Sequence, residues 1–294
     1  MRSGRVSPLG DAPRVGHARG DVHRPKASDG VDCMSFKDYK VVTTLPDPAI
    51  VTDAAVRQRI EQLGRPWKIR HKASEIVLLL VPDGTFTMGS PEDENGRGTD
   101  ERQHQRVIRK PFYVGEKAVS QAEWGAILGR GAGSIEDLER PIDSVSWNDC
   151  KHFLETAGGA LRLPTEAEWE YACRAGTKTA FAFGSTVTPA QVYYGGGDFP
   201  LPYKPVKCGS LPANPWGFRE MHGNVWEWCE DMYGAYPPSG TEEAEQTGDG
   251  SGGRVARGGC WYFLASTCRS AYRGSLDPKY ANDFFGFRVA KSAE

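Results

Sequence analysis

The chain alternates between short, strongly patterned segments and long stretches without any period. In residues 46–64, PDPAIVTDAAVRQRIEQLG, the apolar residues Val56, Ile60 and Leu63 recur at helical spacing. Thr52 or Asp53 stands where a cap belongs, and Gly64 where the helix should stop. EIVLLLVPDGTFTMGS, starting at Glu75, then runs an apolar segment into Pro-Asp-Gly and a second β-rich run. That pattern predicts two strands joined as a hairpin. The polar SPEDENGRGTDERQHQ that follows has no periodicity and predicts a long loop. Three later segments open with a hydroxyl three residues before a carboxylate: Ser120 with Glu123, Ser146 with Asp149, and Thr165 with Glu168. They predict three short helices, with full capping boxes at Ser120 and Thr165. Beyond Gly176 the helical period vanishes, and glycine, proline and aromatic residues dominate. FFGFRVA at residues 284–290 predicts a last strand with Phe285, Phe287 and Val289 on one face.

Composition narrows this to a globular body. With 294 residues, 39% hydrophobic and 25% charged, the chain is long enough to bury a sizeable core. Eight tryptophans and 35 glycines point to a loop-rich α+β body in which aromatic rings supply core area that long elements do not. A net charge of −2 gives no electrostatic basis for binding nucleic acid. IVLLLV at 76–81, the longest aliphatic run, is too short for membrane insertion. Residues 1–33 are rich in Gly, Pro, Arg and Asp, with too little apolar surface to fold, and read as a disordered tail. Residues 34–75 read as a lead-in segment with one helix, and 76–294 as the main domain. The tail lacks the apolar stretch of a signal peptide. Seven cysteines without CxxC spacing fit reduced thiols, so a cytoplasmic protein is expected. The histidines form no zinc pattern.

Seven ordered motifs carry a family resemblance: GTFTMGS (84–90), PFYVGEKAVSQAEW (111–124), PIDSVSWNDC (141–150), LRLPTEAEWEYACRAG (161–176), NPWGFREMHGNVWEWCED (214–231), RVARGGCW (254–261) and GFRVA (286–290). Together they closely resemble the formylglycine-generating enzyme (sulfatase-modifying factor) family over roughly residues 76–291. The resemblance implies a C-type-lectin-like fold of that family's elaborated type, with small twisted antiparallel sheets, a few short helices and much ordered loop.

It also implies where chemistry would sit. The family's oxidases hold copper between two cysteines, four and nine positions after the second glycine of the Gly-Gly turn. Here that glycine is Gly259, and the two positions are Phe263 and Cys268. A soft metal needs paired thiolates, so copper is not expected, and Cys268 alone would be the reactive thiol of an oxidase acting on a peptide cysteine. The family's iron branch needs a three-histidine site that this chain lacks. A structural calcium ion is implied at EMHGNVWE, held by the Glu220 and Glu227 carboxylates and the Gly223 and Val225 carbonyls, hard oxygen ligands of the kind calcium takes.

The C-terminal segment further resembles the variable proteins of diversity-generating retroelements, whose binding positions derive from adenine-rich codons on a frame like GGSWNNNxxNCRSAxRNNN…NIGFR. Adenine changes in an Asn codon account for the residue types at Tyr262, Phe263, Leu264, Thr267, Tyr272, Gly274, Ser275, Leu276, Asp283 and Phe284, and changes in Ser and Ile codons for Cys260 and Phe285. Lys279 does not fit this origin. With Tyr280, these residues form the expected ligand-binding surface, whose aromatic and small side chains suit a protein or other macromolecular ligand. Gly258, Gly259, Arg269, Arg273, Gly286, Phe287 and Arg288 would be fixed frame. The function expected is therefore ligand binding without catalysis, with the Cys268 oxidase as the alternative.

Overall fold

A computed structural model describes residues 36–129, 137–196, 204–236 and 252–293 of the chain. The expected tail at 1–33 lies outside the described residues, as does Cys33. All described residues fall in one compact unit.

Three sheets organise this unit. The first has five antiparallel strands in the order β1-β2-β3-β6-β11: β1 (Tyr39–Thr43), β2 (Lys68–His71), β3 (Val77–Val81), β6 (Phe112–Gly115) and β11 (Ala290–Ser292). The second is a pair, β4 (Gly84–Met88) with β5 (His104–Ile108). The third orders β10 (Phe285–Gly286), β7 (Trp226–Met232), β8 (Arg254–Arg257) and β9 (Arg273–Leu276), with β10 parallel to β7. The lead-in at 34–75 thus supplies two strands of the first sheet as well as helix α1 (Ala54–Gln62), which buries Val56 and Ile60 and is capped by Asp53.

The hairpin expected across Pro82-Asp83 does not form. β3 pairs with β2 and β6, while β4 leaves for β5. Leu78, Leu79, Leu80 and Val81 are buried on both faces, which suits the middle strand of a covered sheet. The turn after Val81 therefore changes sheets.

Helices α2 (Gln121–Leu128), α3 (Trp147–Ala157) and α4 (Glu166–Arg174) start where the hydroxyl–carboxylate pairs predict. All three caps are complete boxes, including Ser146 with Asp149, whose shorter side chain still reaches the Ser146 N–H at 2.9 Å. Aromatic packing joins helices to the last strand region: Trp124 stacks on Phe153 at 5.1 Å, and Phe287 meets both rings edge-on. The predicted strand at 284–290 is divided between β10 and β11. Phe285, Phe287 and Val289 are buried as the alternation requires, but Arg288 between them is buried too, its guanidinium clasping Glu227. No helix among the described residues is long and apolar enough to cross a membrane.

Candidate functional site

The candidate surface grows out of the connection between β8 and β9. These strands pair down to Arg257 opposite Arg273, and the chain between them must turn away. Gly258 and Gly259 make that turn with φ of 96° and 69°, a region costly for residues with a Cβ. At Gly259 a Cβ would also stand 2.7 Å from the Cys268 sulfur, so the turn closes directly onto that thiol. The Trp261 N–H then donates to the Asn224 carbonyl at 3.0 Å, and Tyr262, Phe263 and Leu264 emerge at the surface. A 3₁₀ turn over Ala265–Cys268 takes the chain inward again.

The exposed side chains form a connected aromatic platform. Tyr262 stacks on Phe284 with ring centroids 5.0 Å apart, and Phe263 and Trp261 approach the same ring edge-on. Tyr262, Phe263 and Leu264 are 59%, 40% and 64% exposed. The loop before Gly196 braces them from below: Gly195 donates its N–H to the Phe263 carbonyl at 2.6 Å, and a side chain at Gly195 would collide with the Tyr262 backbone. Tyr280 is exposed and sits edge-on to Phe285, 5.8 Å away, and Asp283 is exposed beside Phe284.

Other expected surface positions lie elsewhere. Cys260 and Phe285 are buried, at 0% and 4% exposure, which corrects their reading as exposed binding residues. Cys260 follows the Gly-Gly turn inward, and Phe285 packs against Trp226 and Trp228. Tyr272 is half-buried against Trp226, and Thr267 bonds back to the Leu264 carbonyl. Gly274, Ser275 and Leu276 are strand residues of β9, with Ser275 exposed, and a Cβ at Gly274 would touch Trp226.

An open cleft of about 630 Å³ adjoins the platform, lined by Ala265 and Ser266 together with Asp93, Glu94, Lys178 and Phe181. The sequence offered no signal for it, because three distant loops meet there. Arg269 holds the loop 91–101 against the C-terminal segment. Its guanidinium bonds Glu101 at 2.7 and 2.8 Å, Glu94 at 2.6 Å and the Gly96 carbonyl at 2.5 Å. Arg273 of the frame is equally committed, bonding Glu166 at 2.6 Å, and Arg257, just before the Gly-Gly turn, pairs with Glu170.

The thiol and metal positions have different surroundings from those expected. Cys268 is fully buried, and burial followed by the neighbouring Cys260 thiol pushes its pKa far above the ordinary thiol range. Cys260 is pushed up to about 11, again chiefly by burial. His222, bonded to the Cys268 carbonyl at 2.7 Å, accepts the Ala182 N–H, and burial lowers its pKa to about 4, so it stays neutral. The Cys268 thiol itself points to the Leu264 carbonyl, 4.0 Å away. The Glu227 carboxylate accepts from Arg288 through both oxygens, at 2.6 and 2.7 Å, and from the Trp169 indole at 2.6 Å. Glu220 accepts the Gly209 and Leu211 N–H groups at 2.8 and 2.9 Å. A calcium ion held by this set would have to displace a buried guanidinium, so the residues do not fit one. Among the described residues no group of three or more His, Cys, Asp or Glu side chains is placed to hold a metal.

Small sheets, capped short helices and a long ordered C-terminal loop define a C-type-lectin-like fold of the formylglycine-generating-enzyme type. The chain belongs to the sulfatase-modifying factor enzyme 1-like domain family, whose model matches residues 68–293. It is 30% identical to the formylglycine-generating enzyme of Streptomyces coelicolor, over 73% of this chain and 88% of that one. It is 38% identical over 160 residues to the serine/threonine-protein kinase pkn1 of Chlamydia caviae, matching 53% of this chain. The chain spans only 25% of that kinase, and 38% of its Chlamydia pneumoniae counterpart. Among solved structures it superposes on PvdO from Pseudomonas aeruginosa with a TM-score of 0.64 and 28% identity, covering 74% of this chain and 95% of that one. It superposes on Treponema denticola variable protein 1 with a TM-score of 0.61 and 22% identity, at the same coverage, so the fold is shared.

Proposed function

We propose that this protein is a non-catalytic binder that captures a protein or other macromolecular ligand on the platform of Tyr262, Phe263, Leu264 and Phe284. The observation that carries the reading is the contrast within one segment: Tyr262, Phe263 and Leu264 are exposed, the first two in ring contact with each other and with half-buried Phe284, while both thiols beside them are buried. Rigid aromatic side chains contribute contact area at low entropic cost, which is what an interface core needs. A frame of buried arginines allows the exposed positions to vary without disturbing the fold. Such a division would suit a retroelement-diversified segment, and the fold shared with Treponema denticola variable protein 1 is consistent with that history.

The competing reading is a peptide-cysteine oxidase, favoured by the identity to the Streptomyces coelicolor enzyme. It requires Cys268 to reach a substrate, and Phe263 occupies the position of the second thiol.

Two experiments test the proposal. In the DNA beside the coding region, a near-copy of the 260–290 segment differing almost only at adenines, next to a reverse transcriptase, is expected if the segment is diversified. Finding none would return the platform to a fixed specificity. Separately, the wild-type chain and a Tyr262→Ser/Phe263→Ser/Phe284→Ser variant are compared for ligand capture and, with copper added, for oxidation of a peptide cysteine. Capture lost in the variant supports binding. Oxidation by the wild type that disappears in Cys268→Ser would sink it.

A further inference from the structure

The first sheet ends at β1. This strand pairs with β2 on one side, and no described strand lies on the other. β1 buries only Tyr39, leaving Lys40, Val41, Val42 and Thr43 exposed. Val41 and Val42 are 43% and 39% exposed, and Leu45 follows them at the surface. The ladder also fixes which backbone groups are free. Lys72 donates its N–H to the Asp38 carbonyl at 2.9 Å, in the same register that pairs Lys40 with Arg70. Antiparallel pairs alternate, so Lys40 bonds inward and the N–H and C=O of Val41 face outward. An edge of this kind is a template for one more strand.

The charge around it selects what that strand can be. A cleft of about 530 Å³ opens at this end of the sheet, lined by Tyr39, Lys40, Arg70, Lys72 and Glu75, with exposed Lys37 adjoining. Arg70 pairs with Glu75 at 3.2 Å, and half-buried Asp38 is the other nearby acid. Among the described residues Lys37, Lys40 and Lys72 have no carboxylate partner; the Lys72 ammonium donates to the Lys37 carbonyl, at 2.5 Å. Lysines on an edge repel a second copy of the same edge, and the same charge attracts an acidic segment. Nucleic acid or an anionic bilayer would meet the lysines but leave the Val41 backbone and the two valines unanswered. We infer that the β1 edge docks an extended acidic peptide segment of another protein, which adds to the sheet as a further strand. This surface is separate from the aromatic platform and does not depend on its function.

The test is fluorescence anisotropy of a labelled heptapeptide alternating Glu and Val, titrated with the full chain. Saturable binding is expected, weakened by about tenfold or more in Lys40→Glu, through lost charge, and in Val41→Pro, through the lost outward N–H. Phe263→Ser should bind as wild type does. As a check independent of how Val41→Pro folds, N-methylating the peptide's alternate amides should abolish binding on one register and spare it on the other. Absence of saturable binding would overturn the inference. So would binding indifferent to N-methylation on both registers, or equal affinity for a thymidine oligonucleotide or phosphatidylserine vesicles.

Discussion

Arg269 and Glu101, 168 residues apart in sequence, form a two-pronged ion pair with bonds of 2.7 and 2.8 Å, both side chains essentially without solvent contact. The pair ties the acidic loop 91–101 to the base of the display segment, so the cleft and the platform share one support. Burial alone would raise the Glu101 pKa, but the Arg269 bonds and those from Gly98 and Ser90 outweigh it and hold the carboxyl below its usual range.

Removing one partner leaves the other charge buried. Arg269→Met should cost about 3–5 kcal/mol, and Arg269→Met/Glu101→Gln distinctly less, by denaturant titration at neutral pH. Because the folded pKa of Glu101 is depressed, its contribution is present above the unfolded value and is lost as pH falls through the folded one. A double variant no less damaged than the single would show that the loop, not the charge pair, matters.

Exposure separates the display segment into two energetic classes. Tyr262→Ser, Phe263→Ser and Leu264→Ser should each cost under about 1 kcal/mol. Cys260→Ser should cost about 1–3 kcal/mol for burying a hydroxyl, and Phe285→Ala about 3–5 kcal/mol for the cavity. Equal losses across the five variants, read from urea midpoints, would contradict the placement.

The Gly-Gly turn is intolerant for two reasons at once. Gly259→Ala places a methyl 2.7 Å from both the Cys268 sulfur and the Thr267 carbonyl, on a backbone with φ of 69°. A loss of at least about 1–3 kcal/mol is expected, with the Trp261 fluorescence environment altered in the native state.

Asp231 acts in the opposite sense to Glu101. Burial, then the charge of Glu166, raises its pKa to about 7, while its carboxylate accepts the Glu166 N–H at 2.7 Å. The folded state therefore keeps a proton that the unfolded chain releases near the ordinary carboxylate pKa. Stability from this group is fully present below about pH 4 and declines as pH rises toward 7. Asp231→Asn keeps an acceptor for the Glu166 N–H and should flatten that decline in melting temperature between pH 4 and 7. An unchanged slope would place the titration elsewhere.

Cys268 should resist iodoacetamide in the native protein at pH 8 and react only on unfolding, because the thiolate is the nucleophile and burial suppresses it. Mass spectrometry after native labelling reads this directly. Rapid modification of Cys268 would favour the oxidase reading.

Local chemistry along the chain determined the starts of the helices, since each capping pair acts within a single turn. It also determined the family and fold, through motifs whose glycines, caps and tryptophans recur in order, and the alternation of Phe285, Phe287 and Val289 onto one face. Only the tertiary structure decided what depends on distant partners. The run IVLLLV reads as a hairpin arm until β2 and β6 claim both its sides. Glu227 reads as a metal ligand until Arg288, 61 residues later, takes its oxygens. Cys260 and Tyr262 look alike as positions in an exposed run, yet the positive φ at Gly258 and Gly259 turns one inward and leaves the other outside. Burial belongs to the packed chain as a whole, which is why the surface run was legible as a segment and its exposed members were not.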